Sequence, residues 1–303
     1  MQIALYFYLF IIGLFVGSFL NLVSDRLPNG EKFIFGRSKC DFCHKPLKPK
    51  NLIPIFSFII QKGKCSFCHR KLSFLYPLSE LMTGVSFLIA GHLSGFVYNP
   101  GLQSAILLLY YIVVFGFFVV IFLTDVKYSL IPDSVIIPAI IFVFLSSALF
   151  RVFDLVNLKR ELANDQFGVY LLRTDYLSNH SLYALKEFGV VVLGALIISL
   201  FFLFLIFITK GRGMGFGDVK LGFLIGLVNG FPFGIFSIFL GFVIGAVYSL
   251  LLMGVKKKTM KDTIPFGPFL IIGSVVTLLI IRKGPKGIES FIVFFFAPIN
   301  KRL

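Results

Sequence analysis

The chain reads as an all-α polytopic membrane protein: about eight transmembrane helices, with a small zinc-binding cytoplasmic domain between the first and the second. Three observations predict it. Of 303 residues, 57% are hydrophobic and only 14% charged, against about 45–50% and about 25% in soluble chains; the mean hydropathy is +0.94. Apolar runs near the roughly 20 residues that a helix needs to cross a bilayer recur from end to end. All four cysteines fall within residues 40–68, inside a long polar stretch near the N-terminus. The net charge of +15 would suit nucleic acid in a soluble protein. Here it is read as orientation in the bilayer, and no nucleic-acid partner is expected.

The first element is an apolar run over 3–23. It has neither a basic n-region nor a small-residue cleavage site, so it is read as a retained helix rather than a signal peptide. A polar domain follows over 24–76. The rest of the chain, 77–303, is a membrane domain with apolar runs at 77–97, 104–124, 131–152, 188–209, 219–231, 233–255 and 263–281. The run at 219–231 is short for a span and is expected to be tilted or partly re-entrant. A last apolar patch, 291–299, is too short to cross and is placed at the interface. No internal repeat is strong enough to argue from.

The basic residues set the orientation. Residues 24–75 hold 11 Lys and Arg against 3 acids, which places this segment in the cytoplasm. Alternating the spans from there puts 125–130, 210–218 and 256–262 on the same side, and the four segments together hold 18 of the 29 basic residues. The loop at 151–187, with 5 basic and 5 acidic residues, falls outside. The basic cluster at 282–286 runs against the pattern.

Cys40-x-x-Cys43 and Cys65-x-x-Cys68 are separated by 21 residues. Two such pairs on two turns place four thiolates around Zn²⁺ at about 2.3 Å, and four protein ligands make a closed, structural site. Cytoplasmic thiols stay reduced, which disfavours disulfides. Each pair is followed by His (His44, His69), giving two C-x-x-C-H sequences, the c-type haem attachment pattern. A dihaem membrane cytochrome is therefore the alternative; the basic count opposes it, because haem attachment occurs outside the cytoplasm.

Outside the polar loops, acids are few: Glu80, Asp125, Asp133 and Asp218. An ionisable group in or at the end of a span marks function by default. Asp125 ends the third run and Asp218 opens the sixth, and the topology puts both at the cytoplasmic boundary. Two carboxylates sharing one site hold a single proton between them, an arrangement suited to peptide hydrolysis. Asp218 follows Gly213-Met214-Gly215-Phe216-Gly217. A nucleotide loop is excluded, because no strand precedes the glycines. They are read as a tight turn close to a substrate strand, and a helix-capping role for Asp218 is the structural alternative. Asp133 is read as a helix-start residue. Glu80 is either a first-turn acid on a helix dipole or a substrate-side charge. A transporter that relays ions through Asp125 and Asp218 is a second functional class, but it calls for acids deep within spans.

These residues together resemble the type IV prepilin peptidases, bifunctional leader peptidase/N-methyltransferases of the bacterial inner membrane. Gly17-Ser18-Phe19-Leu20-Asn21 with Arg26-Leu27-Pro28 is similar to the family's N-terminal signature. The cysteine pairs, Tyr76-Pro77 and Glu80 resemble its zinc-bearing domain. Thr124-Asp125 through Ile131-Pro132-Asp133 resembles the first catalytic motif, Gly215-Phe216-Gly217-Asp218-Val219-Lys220 the G-x-G-D motif, and Ile264-Pro265-Phe266-Gly267-Pro268 the C-terminal one. The resemblance covers nearly the whole chain. It implies an aspartic membrane endopeptidase that cuts type IV prepilins or pseudopilins after a Gly and then methylates the new N-terminal amine with S-adenosylmethionine. By motif, Asp125 and Asp218 are the catalytic pair; Cys40, Cys43, Cys65 and Cys68 bind structural zinc; Gly215, Gly217, Glu80 and Lys220 are substrate- or cofactor-side. A presenilin-like G-x-G-D protease is the nearest enzymatic rival, and the cysteine domain argues against it. The chain departs from the family pattern at Asp41, in the length of 151–187, and in lacking a Trp near Phe58. No residues are assigned to S-adenosylmethionine.

Overall fold

A computed structural model describes residues 2–28, 30–31, 38–40, 42–43, 45–211, 213–254 and 264–282. The apolar patch at 291–299, the basic loop at 256–262, Asp41, His44 and residues 283–286 lie outside the described residues. Among the described residues there are ten α-helices and no strand: α1 (Gln2–Arg26), α2 (Phe56–Ile60), α3 (Leu75–Ser94), α4 (Leu102–Tyr128), α5 (Asp133–Ala163), α6 (Gln166–Leu172), α7 (Tyr176–Thr209), α8 (Phe216–Asn229), α9 (Phe233–Gly254) and α10 (Gly267–Arg282). A 3₁₀ turn (Pro49–Leu52) precedes α2.

Eight of these helices fall on the eight apolar runs. Five of them, α1, α4, α5, α7 and α9, are long and apolar enough to cross a membrane, and α10 is a shorter apolar helix. The 14 residues of α8 rise about 21 Å, less than the hydrocarbon thickness of about 30 Å. The segment at 151–187, expected as a loop, is mostly helix: α5 runs on to Ala163, α6 fills part of the gap, and α7 begins at Tyr176. Hydropathy marks where a helix meets lipid, whereas backbone hydrogen bonding carries the helix on into polar sequence.

The chain divides into two compact units, 1–135 and 136–303. In the first, α1 packs on α3 and α4, and α3 packs on α4. The C-terminal end of α1, the N-terminal end of α3 and the C-terminal end of α4 meet at one end of the unit, where Lys127 Nζ reaches Asp25 at 2.8 Å. Small residues let the backbones approach. A Cβ at Gly13 would lie 2.8 Å from Gly84 Cα, and one at Gly17 would lie 2.8 Å from Glu80 Cα, a small-xxx-small contact typical of helices packed in lipid. Gly17→Ala is therefore expected to destabilise the unit by about 1–3 kcal/mol through overpacking. Gly116→Ala, on α4 with no atom within 4 Å of its added Cβ, should stay within about 0.5 kcal/mol. Thermal melting of the two variants in one detergent makes the comparison.

In the second unit, α7 packs on α8, α8 on α9 and α10, and α9 on α10. Gly222 and Gly226 of α8 admit Phe202, Ile198 and Ala195 of α7. Phe202, Phe242 and Phe266 form a ring cluster, with Phe242 and Phe266 centroids 4.8 Å apart. Phe266 of the Ile264–Pro268 motif thus packs against the C-terminal half of α7 and the middle of α9. Towards the other end of α8, buried Asn229 donates to Ser274 Oγ at 2.6 Å.

Candidate functional site

The cysteine residues sit on two short hairpin turns. Cys40 N–H donates to the Lys45 carbonyl, and Cys65 N–H to the Arg70 carbonyl; isolated bridges Lys39–Pro46 and Lys64–Lys71 close the two turns. The turns are copies of one another: Lys39-Cys40-x-Phe42-Cys43-x-Lys45-x-Leu47 matches Lys64-Cys65-x-Phe67-Cys68-x-Arg70-x-Leu72. This short repeat escaped the sequence reading because it spans few residues. The copies interlock: Arg70 covers the Phe42 ring at 5.0 Å, and Lys45 covers the Phe67 ring at 5.6 Å.

All four sulfurs are free thiols and lie within 4.8 Å of one another, with Cys40 and Cys68 Sγ 3.9 Å apart. A tetrahedron with metal–sulfur bonds of about 2.3 Å has edges near 3.8 Å, so the donor set fits Zn²⁺. Convergence of all four sulfurs on one point also counts against two separate haem attachments. Burial alone would raise the Cys65 thiol. The Cys68 and Phe67 N–H groups and the thiols of Cys40 and Cys68 outweigh it and bring the pKa down to about 7, which favours the thiolate that a metal requires.

This small domain is fastened to the helices by Glu80. The side chain is buried, and Oε2 accepts the Ile55 N–H at 2.7 Å. Ile55 stands at φ 61, a region that a β-branched residue rarely enters, so this hydrogen bond holds an unfavourable backbone in place. Glu80 lies beyond the first turn of α3, so it is not the first-turn dipole acid that the sequence allowed.

Around it runs a polar network. Asn21 donates to Ser79 Oγ and to the Tyr76 carbonyl. Lys127 Nζ donates to Asn21 Oδ1 (3.0 Å), Ser24 Oγ (3.2 Å) and Asp25 Oδ1 (2.8 Å) and lies 5.4 Å from the Tyr76 ring centre. Tyr128 donates to Asp25 as well. The Gly17–Asn21 signature is thereby explained: its glycine lets α1 touch α3, and its Asn joins three helices. Lys127 was missed. A half-buried hub with partners 102 to 106 residues away leaves no local pattern; its one signal is a lysine two residues past a span-end acid.

Asp125 is 6% exposed and sits in the last turn of α4. The Asp125 carbonyl accepts the Ser129 N–H at 2.8 Å, and Ser129, left-handed at φ 52, ends the helix. Asp218 lies in the first turn of α8, half-buried, and Oδ2 accepts the Gly215 N–H at 3.2 Å. Gly215 is thus the N-cap, and Asp218, three residues in, reaches back to its N–H, so Asp218 is not itself the capping residue weighed from sequence. That bond fixes the carboxylate over the Gly215–Gly217 turn, which does not exclude chemistry. Gly215 has φ −96, which any residue adopts, so the turn itself does not require glycine there. Lys220 is half-buried one step further on, and Asp133 is exposed at the start of α5.

The fold and the site define a polytopic membrane protein with four cysteines placed to hold a metal ion and acids at helix ends. Two family models match: the Bacterial Peptidase A24 N-terminal domain over residues 11–93 and the Type IV leader peptidase family over residues 112–250. Curated relatives named prepilin leader peptidase/N-methyltransferase include one from Bacillus subtilis, 30% identical over 89% of this chain and 92% of the relative. Others come from Stutzerimonas stutzeri, 29% identical over 89% and 88%, and Pseudomonas aeruginosa, 27% identical over the same shares. The chain belongs to the type IV leader peptidase family. No solved structure matches it.

Proposed function

We propose that this protein is an aspartic endopeptidase of the bacterial inner membrane. It removes the leader peptide of type IV prepilins or pseudopilins at the cytoplasmic face and then methylates the new N-terminal amine. The observation that carries the reading is Asp125: a carboxyl group buried at the end of an apolar span, where ionisable groups are costly unless they are used, in a chain aligned to curated relatives over most of its length.

Asp125 and Asp218 form the dyad in this reading. The ionised member takes a proton from water, whose oxygen attacks the scissile carbonyl. The protonated member gives its proton to the carbonyl oxygen; as the C–N bond breaks, the member that took the proton from water passes it to the leaving amine, and the carbonyl re-forms by returning its proton to the other carboxylate. Gly215 and Gly217 border the cleavage site, and Lys220 follows on the same helix. The four cysteines hold Zn²⁺, which supplies a scaffold and no chemistry. In the second reaction the new amine, having lost a proton to water, attacks the methyl carbon of S-adenosylmethionine. A C–N bond forms, the S–CH₃ bond breaks with its pair going to sulfur, and a neutral thioether leaves.

The test is co-expression with a candidate prepilin and mass spectrometry of the product. Loss of the leader together with one added methyl at the N-terminus is expected. Uncleaved prepilin removes the peptidase assignment, and a cleaved but unmethylated product removes the second activity.

A further inference from the structure

The short helix α2 has two faces. Ser57, Phe58 and Gln61 turn inward and border a hollow shared with the ends of α1, α3 and α4. Phe56, Ile59 and Ile60 turn outward, 65%, 65% and 77% exposed, and Ile53 just before the helix is exposed as well. Residues 51–61 carry no charge, while Lys48 and Lys50 precede that stretch and Lys62 and Lys64 follow it, all four exposed. Soluble surfaces rarely gather large apolar side chains in this way unless something covers them. We infer that lipid covers them: α2 lies in the surface of the bilayer, with Phe56, Ile59 and Ile60 buried in the leaflet on the domain's own side. The cysteine domain is then a monotopic attachment to the membrane, rather than a body suspended above it between α1 and α3.

Three observations carry the inference. The first is depth. A Cβ at Gly17 of α1 would lie 2.8 Å from Glu80 Cα, so the two residues share one level. Gly17 stands six residues before Val23, the end of the apolar run of α1, which is about 9 Å inside that run. Glu80 Oε2 accepts the Ile55 N–H at 2.7 Å. The start of α2 is therefore one side chain away from a level within the lipid. Interfacial helices bury their apolar face about 5–10 Å into the boundary between headgroups and acyl chains.

The second is continuity. Phe74, Leu78, Leu81 and Val85 are all exposed and follow one another at helical spacing, which lines them along one side of α3. The helix packs on α1, itself long and apolar enough to cross a membrane, so this stripe faces acyl chains. Phe74, at its N-terminal end, meets Phe58 of α2 edge to face with ring centres 6.2 Å apart. The outward face of α2 thus extends a surface that already lies against lipid. The third is charge. Residues 45–79 hold seven Lys and Arg and no acid. A second copy of the domain would set like charge against like, whereas headgroup phosphates complement it. Lysines flanking an apolar face rest their stems on it and raise their ammonium groups to the headgroups.

The chain has no Trp, so a single introduced Trp reports alone. Full-length, zinc-loaded Phe56→Trp and Ile60→Trp proteins are placed in nanodiscs of phosphatidylcholine and phosphatidylglycerol, with and without bromine on the acyl chains. The expected result is blue-shifted emission, quenched about twofold or more by the brominated lipid. Ser66→Trp, exposed on the second cysteine turn, should emit to the red and be quenched by aqueous iodide instead. Adding Phe56→Asp to Ile60→Trp should cut the bromolipid quenching by about half or more, because a charge on that face opposes insertion. Zinc content of each variant confirms that the domain has folded. Reporters at both positions that iodide reaches and bromolipid does not overturn the inference. Blue-shifted reporters that bromolipid leaves untouched overturn it too and put protein over the face; loss of that shielding at one chain per disc identifies the protein as a second copy. Prepilin cleavage read on the same discs is a separate result: cleavage without quenching removes the insertion alone, and quenching without cleavage removes the peptidase reading alone.

Discussion

Asp125→Asn and Asp218→Asn should each lower prepilin cleavage by about 10²–10⁴-fold, the usual worth of a positioned acid or base. The double variant should be little worse than either single one, because groups that act as a unit lose their joint effect with the first removal. Asn is the informative substitution. It matches Asp in shape, and its carbonyl oxygen can still accept the Gly215 N–H that Asp218 accepts now, so the start of α8 is kept while the ionisable proton is lost. Asp→Glu should fail as well, because a misplacement of about 1 Å can cost about 10²-fold. The measurement is cleavage of a prepilin in membranes at matched enzyme levels. Full activity in either Asn variant excludes that residue from the dyad.

Stripping the metal, or replacing Cys40 or Cys65 with Ser, should melt the cysteine domain while the helices persist. Metal analysis of the parent should find about one zinc per chain and of the variants almost none. Structural zinc contributes about 10–16 kcal/mol to small zinc-finger peptides, far more than two hairpin turns of this size supply by themselves. Cys40 and Cys65 are the buried ligands, 4% and 2% exposed, so their loss should exceed that of Cys43 or Cys68. Amide exchange over residues 38–72 reads the effect directly: fast exchange without metal, slow with it. Zinc-free protein with unchanged exchange and melting would deny the metal its folding role.

How much of this was written in the sequence varies with the physics. Long apolar runs are strong signals, because a bilayer demands an uninterrupted stretch, and every run within the described residues coincides with a helix. The cysteine spacing was equally legible, because tetrahedral coordination restricts both residue type and interval. The inner faces of the helices were not. In lipid both faces are apolar, so hydropathy does not separate them, and the contacts of Gly13 and Gly17 with α3 emerge only from the packing. The Lys127 network was hidden for a related reason: its partners on α1 lie about a hundred residues away. The polar sequence of 151–187 misled by looking like a loop. The acids at 125 and 218 stood out because charge is rare in such a chain; the sequence offered Asp218 as a cap, whereas Gly215 is the cap and Asp218 bonds back to it from the third position.

The lengths of α5 and α7 have a practical consequence. At 31 and 34 residues they measure about 47 and 51 Å, some 15–20 Å more than a bilayer core requires. Phe188 of α7 meets both the Phe144 ring and the Arg151 guanidinium of α5 at 5.1 Å, and beyond that clasp α5 carries Asp154, Lys159, Arg160 and Glu161. Both helices are therefore long enough to run past a bilayer core as helix rather than as slack loop. A fluorophore or affinity tag set in the turn at Asn164 and Asp165, between α5 and α6, would stand clear of the headgroups and report which side of the membrane it occupies.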